Sequence, residues 1–217
     1  VAPGRVLNYL ISCQRIPTIA LHHIYRQSKE SGIVQLAHSI RNNQYDETLF
    51  SKYQDIHFQT CAGYDVVKYV RVLVTKALED GYDVHDIQVL APMYNGVAGI
   101  DALNDCLQEL FNPQDGFKNE LRVGKRLFRE GDKILQLKNR IEDNVFNGDI
   151  GTLVEICYKD NFEYLSDMMI VDFDGTIVEY TPQEFYTLTH AYCMSVHKSQ
   201  GNEFKIVIMP VLKDYYI

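Results

Sequence analysis

At 217 residues, 46% of them hydrophobic, the chain is long enough for one sizeable domain or two small ones with a real core. Its 21 Lys and Arg against 29 Asp and Glu leave a formal charge of -8, which excludes a surface that is one polyanion footprint and confines any nucleic-acid contact to a local patch. No apolar run approaches the roughly 20 residues needed to span a bilayer, the N-terminal VAPGRVLNYLISCQR is no signal peptide, and five scattered cysteines (Cys13, Cys61, Cys106, Cys157, Cys193) form no CxxC pair, so the expectation is a soluble cytoplasmic protein with reduced thiols and no metal site.

The chain opens on Val1 and a loop-like APG, which reads as the start of a fragment, followed by a short helix over 6–13. TIAL at 18–21 predicts a strand. Ile33, Leu36, Ala37 and Ile40 recur at helical spacing behind Ser31, a natural N-cap. A strand over 56–60 precedes a long amphipathic helix carrying Val66, Val67, Val70, Leu73, Val74 and Leu78 and ending near Gly81. IQVLA at 87–91 predicts a third strand, closed by Pro92, and Ile100, Leu103, Leu107 and Leu110 define a helix running to Asn112-Pro113. Alternating strand and helix points to an α/β fold with a parallel sheet and helices on both faces.

From about Arg122 the pattern changes to short strands, at 133–137, 151–158, 168–173 and 176–180, with Asp174-Gly175 as a hairpin signal. This reads as a small β-rich module inserted into the α/β domain. The runs at 188–192 and 205–211 return to the α/β pattern, the second as a buried central strand. There is no internal repeat.

The polar run SVHKSQGNEF at 195–204 stands between two apolar segments, where an open α/β sheet delivers loops to one edge. In it His197 and Lys198 can meet phosphate, Gly201 permits close backbone approach and Glu203 can accept from a ribose hydroxyl; a solvated turn is the bland reading. Arg26 follows the first strand, where a guanidinium fork suits a developing phosphoryl charge or a surface salt bridge. The loop holding Tyr94, Asn95 and Gly96 leads into a helix whose N–H groups can hold a phosphate, or is a plain turn. FNGDIG at 146–151, with Asn147-Gly148 as a tight turn, reads as structural. Lys138, Asn139 and Arg140 before it fit either a nucleic-acid contact or a solvated hairpin end. No G-x-x-x-x-G-K-[ST] loop occurs, since Gly124-Lys125-Arg126 lacks both the upstream glycine and the hydroxyl, so the chain alone is not expected to hydrolyse ATP.

Taken in order, YRQ at 25–27, VLAPMYNGVAGIDALN at 89–104, FNGDIG and AYCMSVHKSQGNEF at 191–204 resemble the second motor half of superfamily-one DNA helicases, in particular the RecD-like group, which includes the exodeoxyribonuclease V alpha subunit and stand-alone relatives. The resemblance implies a RecA-like second motor domain over 18–121 and 187–217. It also implies an SH3-like β-barrel inserted at 122–186 and a tail of the first motor domain at 1–17. It assigns Arg26 to the ATP γ-phosphate as the catalytic arginine, with Gln27 beside it, and sets Gly201 and Glu203 at the nucleotide. Ser195, His197 and Lys198 fall to the single-stranded DNA, with Ser195 where the family usually has Thr. Tyr94, Asn95, Gly96 and Asn139 complete the expected DNA track.

The resemblance further implies a 5′-to-3′ helicase of recombination and repair, using ATP and Mg²⁺ held mainly by the first motor domain. The motor is expected to be monomeric, either standing alone or joined by nuclease and helicase subunits of an exodeoxyribonuclease V complex. Walker elements are expected upstream of Val1 and a final arginine-bearing motif downstream of Ile217. Two rival readings are a non-catalytic nucleic-acid or protein binding module on a degenerate RecA-like domain, and a nucleotide-sensing domain that binds without hydrolysis.

Overall fold

A computed structural model describes residues 5–19, 31–44, 47–159 and 165–212, in two compact units, 1–60 and 61–217. The first unit holds helices α1 (Val6–Ser12), α2 (Gly32–Arg41) and α3 (Leu49–Lys52). Ser31 is extended and its carbonyl accepts the first helical bond of α2 from Gln35 N at 3.2 Å, but its side chain does not cap the helix. Asp55 does so instead, accepting from Gly32 N at 2.9 Å and from Ser31 Oγ at 2.6 Å. Gly32 is required there, because a Cβ would lie 2.5 Å from Tyr53 Cβ. Residues 56–60, expected as a strand, pair with nothing in a described sheet, although Ile56 is buried. Of the strand expected at 18–21, Thr18 and Ile19 are not in a strand and the rest lies outside the described residues.

The second unit begins with a 3-10 turn, Gly63–Asp65, and helix α4 (Val66–Glu79), then β1 (Ile87–Leu90) and helix α5 (Ile100–Phe111). β1 is the middle of a three-stranded parallel sheet between β9 (Cys193–Met194) and β10 (Ile206–Ile208), with Leu90 opposite Met194 and Ile87 opposite Ile206. All four β1 residues are buried, as a strand covered on both faces should be. Val70 and Val74 of α4, Leu103 and Leu107 of α5, Val89 and Cys193 form one core, and a fully buried aliphatic side chain contributes about 1.5–3 kcal/mol. Asn104 takes the place of a strand partner on the other edge of β9: its side chain donates to Cys193 O at 2.9 Å and accepts from Cys193 N at 2.8 Å. β10 corrects the expectation of a buried central strand. It is the edge of the described sheet, and Val207 is half exposed.

The β-module contains the hairpin β2 (Glu120–Val123) and β3 (Arg126–Arg129), followed by β4 (Lys133–Gln136), β5 (Ile150–Cys157), β6 (Met168–Phe173), β7 (Thr176–Tyr180) and β8 (Leu188–His190). The last five form an antiparallel sheet in the order β7-β6-β5-β4-β8. Strict alternation in β6 buries Met169, Val171 and Phe173 against Phe128, Ile134, Leu153 and Leu188. The β6–β7 turn uses Asp174 and Gly175 at φ 50° and 94°, as the dipeptide signals. Two features depart from the sequence reading. The Gly124-Lys125 dipeptide, noted only as a failed phosphate loop, is the turn of the β2–β3 hairpin. Residues 188–190, read with the α/β domain, hydrogen-bond to β4 instead, because Leu188 belongs to the module's core.

Two adjacent residues lock the module to the α/β layer. Asp132, fully buried, accepts at Oδ2 from Gln108 Nε2 (2.6 Å) and Arg129 N (2.7 Å), with His190 Nε2 at 3.1 Å, and at Oδ1 from Asn112 Nδ2 (2.8 Å) and Tyr192 Oη (3.0 Å). Lys133 extends its buried ammonium to Val84 O (2.8 Å), Ile87 O (3.2 Å) and Gln88 Oε1 (3.3 Å) at the start of β1, with the Phe204 ring centroid 5.4 Å away. No buried side-chain polar atom among the described residues lacks a partner.

Candidate nucleic-acid and nucleotide interface

β1 and β9 run parallel side by side, so their following loops, 92–99 and 195–205, leave from one edge of the sheet. Ala91 N donates to Met194 O at 3.0 Å and holds the bases of the two loops together. In parallel α/β sheets this carboxyl edge is where ligands bind. Beyond Met194, Ser195 O accepts from Lys198 N (2.9 Å) and Ser199 N (3.2 Å), winding 195–199 into one helical turn that leaves His197 exposed and Lys198 half buried. Gly201 follows at φ 95° with open space on its Cβ side, and Glu203 is exposed. The backbone at Gly201 is therefore open to close approach from that side.

Lys198 does not stand alone. Its Nζ donates to Asn147 Oδ1 at 2.5 Å, Asn147 N donates to Asn139 Oδ1 at 2.8 Å, and Asn202 Nδ2 donates to Gly148 O at 3.3 Å. The turn at 147–148 is fixed in turn by Gly148 N on Gln136 O at 2.9 Å and by Gly148 at φ 106°. The loop after β9 and the β4–β5 connection of the module thus meet through two hydrogen bonds, Lys198 to Asn147 and Asn202 to Gly148. Nearby, Lys138 Nζ reaches Tyr186 Oη at 3.1 Å and lies 4.3 Å from that ring, which is 61% exposed; Phe146 is 44% exposed. Arg140 is engaged within the β-module. Its guanidinium pairs with Asp143 at 2.6 Å and Glu184 at 2.8 Å over the Tyr180 ring, so its charge is largely spent within the hairpin.

The structure thus joins Lys198 and Asn139 through Asn147 and keeps Ser195, His197, Gly201 and Glu203 on the same loop. Tyr94, Asn95 and Gly96 are exposed at the same sheet edge, with Gly96 at φ 105°. At the α5 N-terminus the turn reading fits better than the phosphate one: Gly99 N donates to Gly96 O (3.1 Å), Ile100 N to Met93 O (2.9 Å) and Asp101 N to Tyr94 O (3.2 Å), so the loop's own carbonyls occupy these three donors. Gly99 permits this wrap, since a Cβ there would lie 2.5 Å from Tyr94 O. Arg26 and Gln27 lie outside the described residues. Asn147, Asn202 and Tyr186 were missed; the one local signal was the Asn-Gly pair, which marks a turn and says nothing of what the Asn side chain holds. Among the described residues no three His, Cys, Asp or Glu side chains gather into a metal-binding group, and no helix is long and apolar enough to cross a membrane.

A parallel α/β layer joined to a small antiparallel β-module is an α/β fold carrying an SH3-like insert, and family matches agree. Residues 103–173 match the ATP-dependent RecD-like DNA helicase SH3 domain, and residues 190–217 match the UvrD-like helicase C-terminal domain. The chain is similar to the ATP-dependent RecD2 DNA helicase of Deinococcus radiodurans, 31% identical over 202 residues, 93% of this chain and 26% of that protein. It is also similar to the RecBCD enzyme subunit RecD of Buchnera aphidicola, 19% identical over 94% of this chain and 37% of that protein. Among solved structures, the Pif1 helicase from Bacteroides in complex with ADP-AlF3 and single-stranded DNA shares the fold at 16% identity and a TM-score of 0.50, covering 91% of this chain and 46% of that one. The chain is thus related to the RecD-like DNA helicases and spans about a quarter to a third of the length of these curated relatives.

Proposed function

We propose that this chain supplies the second lobe of the ATP cleft and part of the single-stranded DNA track of an ATP-driven 5′-to-3′ DNA helicase of recombination and repair. The observation that carries the reading is the junction at which the loop of 195–204 meets the β-module through Lys198 and Asn147. One loop then serves both ligands. Its first turn, with Ser195, His197 and Lys198, contacts the sugar-phosphate backbone together with Asn139 and the loop of Tyr94, Asn95 and Gly96. Its far end, with Gly201 and Glu203, faces the nucleotide.

Arg26 and Gln27 would hold the γ-phosphate, the guanidinium stabilising charge as it develops. ATP with Mg²⁺, carried mainly by a first motor domain, would supply the free energy of phosphate cleavage. DNA contacts of this kind are sequence-independent and weaken with salt. Residues 1–217 alone, without a Walker loop, are proposed not to hydrolyse ATP. The protein is proposed to act in the cytoplasm as a monomeric motor, by itself or with exodeoxyribonuclease V subunits.

The test uses the full-length protein on duplexes with a 5′ or a 3′ single-stranded tail. Unwinding of the 5′-tailed substrate is expected, and Arg26→Ala should abolish it while single-strand binding persists. Undiminished ATPase activity in Arg26→Ala would remove the catalytic assignment, and equal unwinding from 3′ tails would remove the polarity.

A further inference from the structure

Asn147 lies in a turn that the sequence explains without any ligand, yet its carboxamide oxygen is spent on a cation from another part of the fold, 51 residues away in the chain. Every other bond around it fixes that oxygen in space. Its N–H is held by Asn139 Oδ1, the next N–H by Gln136 O at the end of β4, and the Gly148 carbonyl is tied by Asn202 from the opposite loop. Gly148 takes the positive φ that closes the turn. The result is a rigid acceptor, anchored in the β-module and aimed at one ammonium of the α/β layer.

A lysine side chain carries large rotamer entropy, and an exposed one loses it when it binds a phosphate. Here much of that freedom is already removed in the free protein. An ammonium has three donors; Asn147 uses one, and two remain for a phosphate. The neutral amide holds the cation without cancelling its charge, unlike the carboxylates around Arg140.

From this geometry we propose that Asn147 is a positioning residue. It orders Lys198 for the DNA backbone and thereby couples the β-module to the loop of 195–204. The inference rests on the reading that this loop binds single-stranded DNA.

The experiment measures anisotropy of a labelled oligothymidylate with the full chain across a salt series, for the parent, Asn147→Ala, Asn147→Asp, Lys198→Met and the Asn147→Ala/Lys198→Met double variant. Asn147→Ala is expected to weaken binding about threefold to tenfold while leaving the salt slope unchanged, since no charge is lost. In Lys198→Met the slope should fall by about 0.7, the contribution of one single-strand phosphate contact. Asn147→Asp, of the same shape, keeps the turn and neutralises Lys198, so its slope should fall likewise. In the double variant the alanine should add nothing to the loss in Lys198→Met.

An alanine effect that persists at full size in the Lys198→Met background, or no alanine effect at all, overturns the positioning role while leaving the DNA-binding reading intact. If Lys198→Met itself changes neither affinity nor slope, the DNA-binding reading of Lys198 fails, and the inference falls with it.

Discussion

Asp132→Ala should be the most damaging single change in the second unit. The carboxylate is fully buried and gathers donors from Gln108 and Asn112 of α5 and its end, from Arg129 N of the module, and from His190 and Tyr192 on the return to the α/β layer. Burial opposes its charge, but the His190 contact and the Asn112 and Arg129 bonds outweigh it and hold the carboxyl below the usual carboxylate range. Truncation leaves five polar groups turned toward a void, and breaking such a buried arrangement costs about 3–5 kcal/mol. Asp132→Asn keeps the volume and one acceptor oxygen but presents an NH₂ to existing donors, so about 2–3 kcal/mol is expected. In a chain of this size the alanine variant should melt roughly 6–20 °C lower. Urea denaturation followed by near-ultraviolet tyrosine signal would give the free-energy change, with m unchanged. The pH dependence has a fixed sign. A depressed carboxyl contributes stability that is present above about pH 4 and is lost as pH falls through the folded-state value, and that acid sensitivity should shrink in Asp132→Asn. A loss below about 1 kcal/mol in Asp132→Ala would refute the view that this cluster locks the module to the lobe.

Lys133 should give the opposite pH signature. Burial pushes its ammonium down to about 8, with Asp83 pulling the other way, so between about pH 8 and 10.5 the stability difference between the parent and Lys133→Met should move by roughly 3 kcal/mol in the parent's favour; taking the difference removes the opposite contribution of Cys193, whose thiol burial pushes up to about 12. A difference in urea stability that stays flat across that range would show that the ammonium sits at its ordinary value. At Gly151 an added Cβ would lie 2.5 Å from Asp172 O and 2.8 Å from Phe173 Cδ1, so Gly151→Ala should cost about 2 kcal/mol or more. Gly124, at φ 61° with open space around it, should accept Asn within about 0.5 kcal/mol; equal costs at the two positions in urea melts would contradict this reading of the sheet.

What was legible in the sequence is what repeats locally. Val70 and Val74 in α4, Leu103 and Leu107 in α5, and the alternation in β6 are periodic signals that need no knowledge of partners, and each marks a buried face. Partners are another matter. The run at 188–190 looks equally at home beside β4 or β1, and only the core volume at Leu188 decides it. Ser31 does occupy the N-cap position of α2, but the side chain that caps the helix is that of Asp55, 23 residues from the Gly32 it serves, which no local signal reveals. Likewise the α5 N-terminus looked open to an anion because the wrap of Met93 and Tyr94 carbonyls depends on Gly99 having no Cβ, a tertiary fact.

The least legible residues are the buried polar ones, which hold in place the strands from which the candidate site's loops leave. Hydropathy assigns Gln88, Asn104, Asp132 and Lys133 to solvent; in the structure they replace missing strand partners or join the two layers. The same logic acts on the run at 195–204. Its residue types suggested phosphate chemistry, but what distinguishes it from a solvated turn is restraint: Lys198 is held by Asn147 of the module, and Phe204 lies over the Lys133 ammonium of that module. These contacts connect the loop of 195–204 through Asn147 to Asn139 of the β-module. Under the motor function proposed above, loosening either anchor is expected to weaken the coupling before it unfolds the domain.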